Sequence, residues 1–389
     1  MLTIGVIGTG NIARAHIRAY QEFADQCEIV ALCDIYPAKA QAKQEEFGLG
    51  AARVYGSHID LLAHEHLDLV SVCTPPSTHA QIVIDCLHAG VNVLVEKPMA
   101  PSLEECDVMM AAERESGKLL SVVAQNRFRD DMVILKDAVD SGLIGPITHM
   151  QVNSSWWRGR AYYDLWWRGT WAEEGGGCTL NHAVHHIDLT LWIAGRPTSV
   201  TSVLANTTHD NSEVEDLSVT IVQLEHGLAE ITASVVDHGE EQSIIVHGEK
   251  ARVSQPWKAV ADTAQPNGFP MPDGNPELVA QLDAIAASHV PLAHEGHPGQ
   301  IADVLAAVRD GRRPAITSQD GRAAIELITA IYESGTERRT VDLPLTTDDP
   351  YYHSGELPKR AHHFYEKENS VEDQGGFIVV EGSPDPAQR

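Results

Sequence analysis

Two polar residues stand in apolar surroundings where such side chains are seldom placed without a task. Lys97 ends the run "VNVLVEKP" beside a proline, and His185 lies in "GGGCTLNHAVHHIDLTLWIAG". In the latter, three glycines lead into a helix on which Asn181, His185 and Asp188 fall four and three residues apart, hence on one face. A buried lysine shifts its pKa readily and suits holding an oxygen on which charge develops. A histidine facing the same crevice suits accepting a proton. Lys97 and His185 are therefore candidate catalytic residues, with Asn181 on the same helix face as His185, although Lys97 as a simple partner of Glu96 is the plainer alternative. His182 and His186 form a second pair four apart, but there is no H-E-x-x-H order and no clear distant ligand set, so no metal is expected.

A second group points to a dinucleotide. Gly8, Gly10 and Ala13 form "GTGNIA" between an apolar run and a helical pattern, with Asn11 and Ile12 in the turn. The first glycine permits the tight turn, the second a close approach of backbone to pyrophosphate, and the small third residue close helix–strand packing. Asp34 ends the next strand, 21 residues after Ala13, where a carboxylate accepts from ribose hydroxyls and repels a 2′-phosphate. NAD is the expected cofactor. Further strand ends should reach the same crevice: Thr74, Pro75, Pro76 and His79 in "CTPPSTH", then Glu96 and Lys97 in "EKP".

The elements that must position these residues follow a change of rhythm. Up to residue 123, short buried strands alternate with helices of 10 to 15 residues, which predicts a doubly wound parallel sheet, a Rossmann domain. From 124 to 345 one helix is followed by strand-like runs such as "ITHMQVNSSW" and "LSVTIVQLEHGLAEITASV", with two helices late. That predicts an α+β domain with an open, mostly antiparallel sheet. Residues 346–389 are polar and acidic and are expected as an extended arm or tail.

The chain has 389 residues and a formal net charge of −27, which argues against nucleic acid and anionic membrane surfaces as partners. The six cysteines are scattered without a CxxC, so reduced thiols are expected. No run approaches the length of a membrane span, and the first residues lack a basic n-region, so a cytoplasmic location is expected.

"GVIGTGNIA", "VCTPPSTHA", "VEKPMA", "WR", "GGG…N…H..D" and "GRAAIELITAIYESG" together resemble the glucose–fructose oxidoreductase / inositol dehydrogenase / rhizopine-catabolism family over residues 1 to about 345. The resemblance implies hydride transfer between NAD(P) and a secondary alcohol of a sugar or cyclitol. It implies Lys97 as the active-site lysine, His185 as the catalytic histidine, and Trp167-Arg168 as a pair near cofactor and substrate. Asn181 stands where many members carry an aspartate, which removes a charge from beside the histidine. Homodimers or homotetramers through the open sheet face are also implied. NAD-dependent glycoside hydrolysis and a non-catalytic sugar- or NAD-sensing role are the alternatives on the same fold.

Five of the seven tryptophans lie in "WWRGRAYYDLWWRGTW", 156–171, between the first strand of the second domain and the glycine lead-in. Sugar C–H faces stack on indole and forked arginine donors bind hydroxyls. Arg158, Tyr163, Trp166 and Arg168 are accordingly expected at the substrate with Lys97, Asn181 and His185. Trp156, Trp157 and Trp171 are expected in packing or an interface.

Overall fold

The computed structural model describes residues 1–367 and 370–371. Strands β1 (Leu2–Ile7), β2 (Cys27–Cys33), β3 (Arg53–Tyr55), β4 (Leu69–Val72), β5 (Asn92–Val95) and β6 (Leu120–Val122) form a parallel sheet in the order β3-β2-β1-β4-β5-β6. Between them run α1 (Ala13–Glu22), α2 (Pro37–Glu46), α3 (His58–His64), α4 (His79–His88) and α5 (Leu103–Ser116). β4 is buried along its whole length, as a strand covered on both faces must be. The strand order reverses at β1 and β4, which opens a crevice beyond their C-terminal ends. The expected Rossmann architecture is present.

The second unit begins with α6 (Asp130–Asp140) and β7 (Ile147–Ser155), followed by α7 (Cys178–Asn181) and α8 (Val184–Ala194). Strands β8 (Ser199–Ala205), β9 (Leu217–Gln223), β10 (Leu228–Ser234), β11 (Gln242–Gly248), β12 (Ala251–Gln255) and β13 (Lys258–Ala261) come next. Helices α9 (Pro276–Ser288), α10 (Gly296–Asp310) and α11 (Ser318–Glu337), strand β14 (Val341–Asp342) and α12 (Glu356–Arg360) close the order. The eight-stranded sheet reads β13-β12-β11-β7-β10-β9-β8-β14, and β7 with β10 is its parallel pair within an otherwise antiparallel set. One face of β9 is buried and the other open, residue by residue, as the alternation predicts.

Two late helices depart from a simple division of the chain. α10 lies in the stretch expected for the second domain, yet Ile301, Val304 and Leu305 pack into the cluster of Ile4, Val6, Ile17 and Tyr20. Its apolar stripe covers α1, a pairing that no local pattern announces. α11 spans both units, against α5 and β6 on one side and α8 and β8 on the other. Its start is fixed by a capping box in which Thr317 and Asp320 satisfy each other's backbone N–H groups. Helix α9 had no sequence expectation, and Leu282 is its one buried residue.

The described part of the 346–389 stretch is packed rather than free: Tyr351, Tyr352, Leu357 and Ala361 are buried. The remainder of that expected tail lies outside the described residues. All six cysteines are free and buried.

Candidate functional site

The cofactor end is built by backbone approach. Gly8 turns with φ 88°, and a Cβ there would stand 2.7 Å from the Cys73 carbonyl carbon beyond β4. Only glycine allows β1 and β4 to end so close together. Gly10 faces open space, with nothing within 4 Å of a would-be Cβ, and Asn11 is exposed beside it. Ile12 at the start of α1 supplies no side-chain cap; the Arg14 and Ala15 N–H groups donate to the Asn11 and Ile12 carbonyls (3.2 and 3.0 Å), and the positive end of the helix faces that opening. Asp34 Oδ2 accepts from the Thr9 N–H (3.0 Å) and hydroxyl (2.8 Å), and Oδ1 from the Tyr36 N–H (2.9 Å). Thr9, which the sequence did not single out, thus ties the glycine turn to the acidic strand end. This set fits NAD: an open glycine and an uncapped helix start for the pyrophosphate, a carboxylate for the ribose.

Thr74 and Pro76 are half-buried and Pro75 is exposed at the rim beyond β4. His79, expected at the cofactor, is corrected by its position: it is 0% exposed and lies behind the crevice. Its Nδ1 meets the Pro98 carbonyl at 3.0 Å and its Nε2 the Thr74 carbonyl at 2.8 Å, so it binds two crevice loops together.

Glu96 is likewise turned inward, 4% exposed, rather than toward a ligand. Its Oε1 lies 2.8 Å from His16 Nε2 and 3.5 Å from His297 Nε2, and its Oε2 accepts from the Lys97 N–H at 3.1 Å. Burial alone would raise this carboxyl, but the hydrogen bond with His16 and the attraction of the two imidazoles outweigh it and hold it well below the usual range. The three side chains are close enough to hold a metal ion. The short His16–Glu96 contact already engages two of their ligand atoms. Lys97 does not use Glu96 as a side-chain ion-pair partner in the salt bridges described. Its Nζ points to the Asn181 carbonyl at 3.5 Å, and burial lowers its pKa against the opposing pull of Glu96.

His185 and Lys97 line one narrow crevice, backed by Val123, Val184, Gly321 and Ile325. Burial first, and Lys97 second, hold His185 well below its ordinary pKa, so the ring is neutral and able to accept a proton. Asn181 is near by backbone rather than by side chain: its Nδ2 donates to the Gly176 and Gly177 carbonyls at 2.7 and 3.2 Å. Asp188 leaves the crevice chemistry to others and takes Arg127 in a two-pronged pair of 2.8 and 2.6 Å.

The glycine lead-in rests on a residue the sequence did not mark. A Cβ on Gly177 would stand 2.0 Å from the Glu215 carbonyl oxygen. The buried Glu215 carboxyl accepts from the Thr179 N–H (2.9 Å), the Gly177 N–H (3.2 Å) and the Tyr332 hydroxyl (3.0 Å). Burial raises its pKa to about 7.

In the tryptophan segment the structure chooses among neighbours. Arg168 lies between the rings of Tyr162 and Trp167, 4.1 and 4.2 Å from their centroids, and its Nη1 meets Glu174 Oε1 at 2.7 Å. Arg158 stands over Trp156 and Tyr162 and pairs with Glu240 at 2.6 Å. Tyr163, expected at the substrate, is 1% exposed and packs on His209; its neighbour Tyr162 is the one that meets Arg168 and His182. Trp166 is 51% exposed, whereas Trp156, expected in packing or an interface, stands against His182. Trp171 is core, edge-on to Tyr332. His182 stands beside Trp156 and Tyr162, and burial, then the charges of Arg158, Arg168, Lys97 and His185 in turn, push its pKa well down.

Known proteins match this arrangement. Residues 2–124 match the family model described as "Oxidoreductase family, NAD-binding Rossmann fold", and 132–254 the GFO/IDH/MocA C-terminal domain. Inositol 2-dehydrogenase of Rhizobium meliloti is 25% identical over 350 residues, covering 87% of this chain and 98% of that protein. D-glucoside 3-dehydrogenase of Escherichia coli is 31% identical over 206 residues, 53% of this chain and 57% of that protein. The WlbA dehydrogenase of Bordetella pertussis, solved with NADH and UDP-GlcNAcA, is 30% identical with a TM-score of 0.75, over 89% of this chain and 98% of that one. With both of its halves matched and the dinucleotide crevice in place, the chain belongs to the GFO/IDH/MocA oxidoreductase family and is an NAD-dependent oxidoreductase acting on CH–OH groups.

Proposed function

We propose that this enzyme oxidises a secondary ring hydroxyl of an uncharged sugar, anhydro sugar or cyclitol to the ketone. The observation that carries the reading is the neutral His185 sharing a crevice with Lys97. Lys97 holds the substrate oxygen and His185 takes its proton at a ring nitrogen, which lowers the barrier to loss of the carbinol hydrogen. NAD, when bound, would supply the acceptor for that hydrogen as hydride. Gly8, Gly10, Asn11, Ile12 and Asp34 hold the dinucleotide, with Thr74, Pro75 and Pro76 as the rim. Trp167, Tyr162 and Trp156 supply faces for apolar C–H surfaces, and Arg158 and Arg168 supply forked donors to hydroxyls.

Charge favours a neutral ligand. Arg158, Arg160 and Arg168 are each already paired, with Glu240, Asp210 and Glu174. A diphosphate would have to displace those carboxylates. A hydrolytic or purely sensing role gains no support from a crevice that keeps both proton-transfer groups.

The outer face of the second sheet carries exposed Val203, Val219 and Ile221 on adjacent strands, which supports self-association into a homo-oligomer.

The test is NAD reduction, followed by NADH absorbance, across inositols, anhydro sugars, glucosides and UDP-sugars. The reading expects turnover with a member of the first three classes and none with the fourth. Turnover confined to UDP-sugars would overturn the assignment to neutral substrates.

A further inference from the structure

Three carbonyl oxygens of one short loop converge on a single ammonium group. Lys367 Nζ donates to the carbonyls of Leu165 (2.6 Å) and Arg168 (2.5 Å), and to that of Tyr163. Four residues on, the arm pairs with the same loop: the Val371 N–H donates to the Asp164 carbonyl (2.8 Å), and the Trp166 N–H to the Val371 carbonyl (3.0 Å). Before Lys367, Trp171 Nε1 donates to the His362 carbonyl (3.2 Å) and the Phe364 N–H to the Glu213 carbonyl (2.9 Å). The arm is therefore stitched along the whole segment that carries Trp166, Trp167 and Arg168.

The loop needs such help. Its regular structure is a single short 3-10 turn, Arg160–Asp164, and carbonyl dipoles aimed at one point repel unless a cation sits there. An ammonium group has three donors, and here three acceptors match them. The opposite flank is held separately, where His209 Nε2 meets the Arg158 carbonyl (2.9 Å) and Asn211 Nδ2 donates to the Arg160 carbonyl (3.1 Å). That second grip ends before Leu165. Between Leu165 and Gly169 the Leu165 and Arg168 carbonyls and the Trp166 N–H are taken by the arm, the Trp167 carbonyl accepts from the Thr170 hydroxyl (3.0 Å), and Gly169 is held by Glu174 Oε2, which accepts from its N–H at 2.6 Å, and by the Glu213 N–H, which donates to its carbonyl at 2.7 Å. Glu174 is also the partner of the Arg168 guanidinium.

We propose that the C-terminal arm is a strap, with Lys367 as a positioning residue that sets the 163–168 loop so that Arg168 is presented to the substrate. Lys367 touches no reacting atom and acts through the loop backbone. The kinetic part of this inference rests on the dehydrogenase reading above; the structural part does not.

The test compares the full chain with Lys367→Met and Lys367→Arg. Loss of hydrogen bonds from a charged group should raise KM for the oxidised polyol about tenfold, while kcat stays within about twofold, the signature of lost binding rather than lost chemistry. Amide hydrogen exchange in a peptide covering 158–171 should quicken about tenfold in the methionine variant only locally. Lys367→Arg, which keeps charge and donors, should restore both. Unchanged loop exchange in Lys367→Met would overturn the proposal, as would exchange quickened through the whole chain with kcat and KM falling together. If no sugar or cyclitol is turned over, the dehydrogenase reading fails alone and the exchange measurement still decides the strap.

Discussion

Arg168 Nη1 lies 2.7 Å from Glu174 Oε1, and the guanidinium carbon lies 4.1 and 4.2 Å from the ring centroids of Tyr162 and Trp167. Glu174 is buried, so it orients a donor that solvent would otherwise let swing. Glu174→Ala leaves a largely buried cation without its carboxylate, which should cost about 3 kcal/mol of stability. KM for the substrate should rise while NAD affinity, read by NADH fluorescence, holds. A variant with normal KM would detach Arg168 from the substrate.

Lys97 and His185 carry the proton chemistry. Lys97→Met and His185→Ala should each lower kcat by about 10²- to 10⁴-fold with NAD binding retained. Because His185 titrates well below its ordinary value of 6.5, kcat/KM should stay flat as pH falls through 6.5 and drop only at more acidic pH. An acid limb centred above 6.5 would assign the base elsewhere.

At the cofactor end, Asp34→Ala removes the acceptor for two Thr9 donors and for the ribose. KM for NAD should rise about tenfold or more, and the preference over NADP should narrow as the negative charge goes. Steady-state kinetics with both dinucleotides checks this. An unchanged ratio would show that Asp34 does not face the ribose.

Glu215 gives the glycine lead-in and α7, which precede the helix that bears His185, a pH dependence in stability. Its folded pKa is raised by burial to about 7, above the ordinary 4.5, so between those values the folded chain keeps a proton the unfolded chain has lost. Its contribution is full below 4.5 and is lost as pH rises through about 7. The Tm difference between the wild type and Glu215→Gln should therefore shrink or reverse over that window. A constant difference from pH 4 to 8 would contradict it.

Val219 and Ile221 stand exposed on the open face of β9. If that face joins two copies, Val219→Glu with Ile221→Lys should convert an oligomer to a monomer in light scattering, with the fold intact. Unaltered mass would place any interface elsewhere.

The positions in the fold of the GTGNIA turn, Asp34, Lys97 and His185 are legible because each sits at a strand end or on a helix, elements whose pattern is local. The two architectures were legible for the same reason: alternation and helical spacing are local. The loop between β7 and α7 has no period, so that Tyr162 rather than Tyr163 meets Arg168, and that Trp156 stands against His182 while Trp166 is exposed, could be decided only by packing. His79 and Glu96 looked like crevice residues by position, but their side chains turn to carbonyls and imidazoles brought from elsewhere in the chain. His297 comes to Glu96 on α10, and Lys367 to the Arg168 carbonyl on the C-terminal arm. Sequence alone determined the kinds of chemistry and the frame that carries them. Tertiary structure decided the partners, because a buried polar group is satisfied by whatever the fold brings within about 3 Å, however distant in the chain.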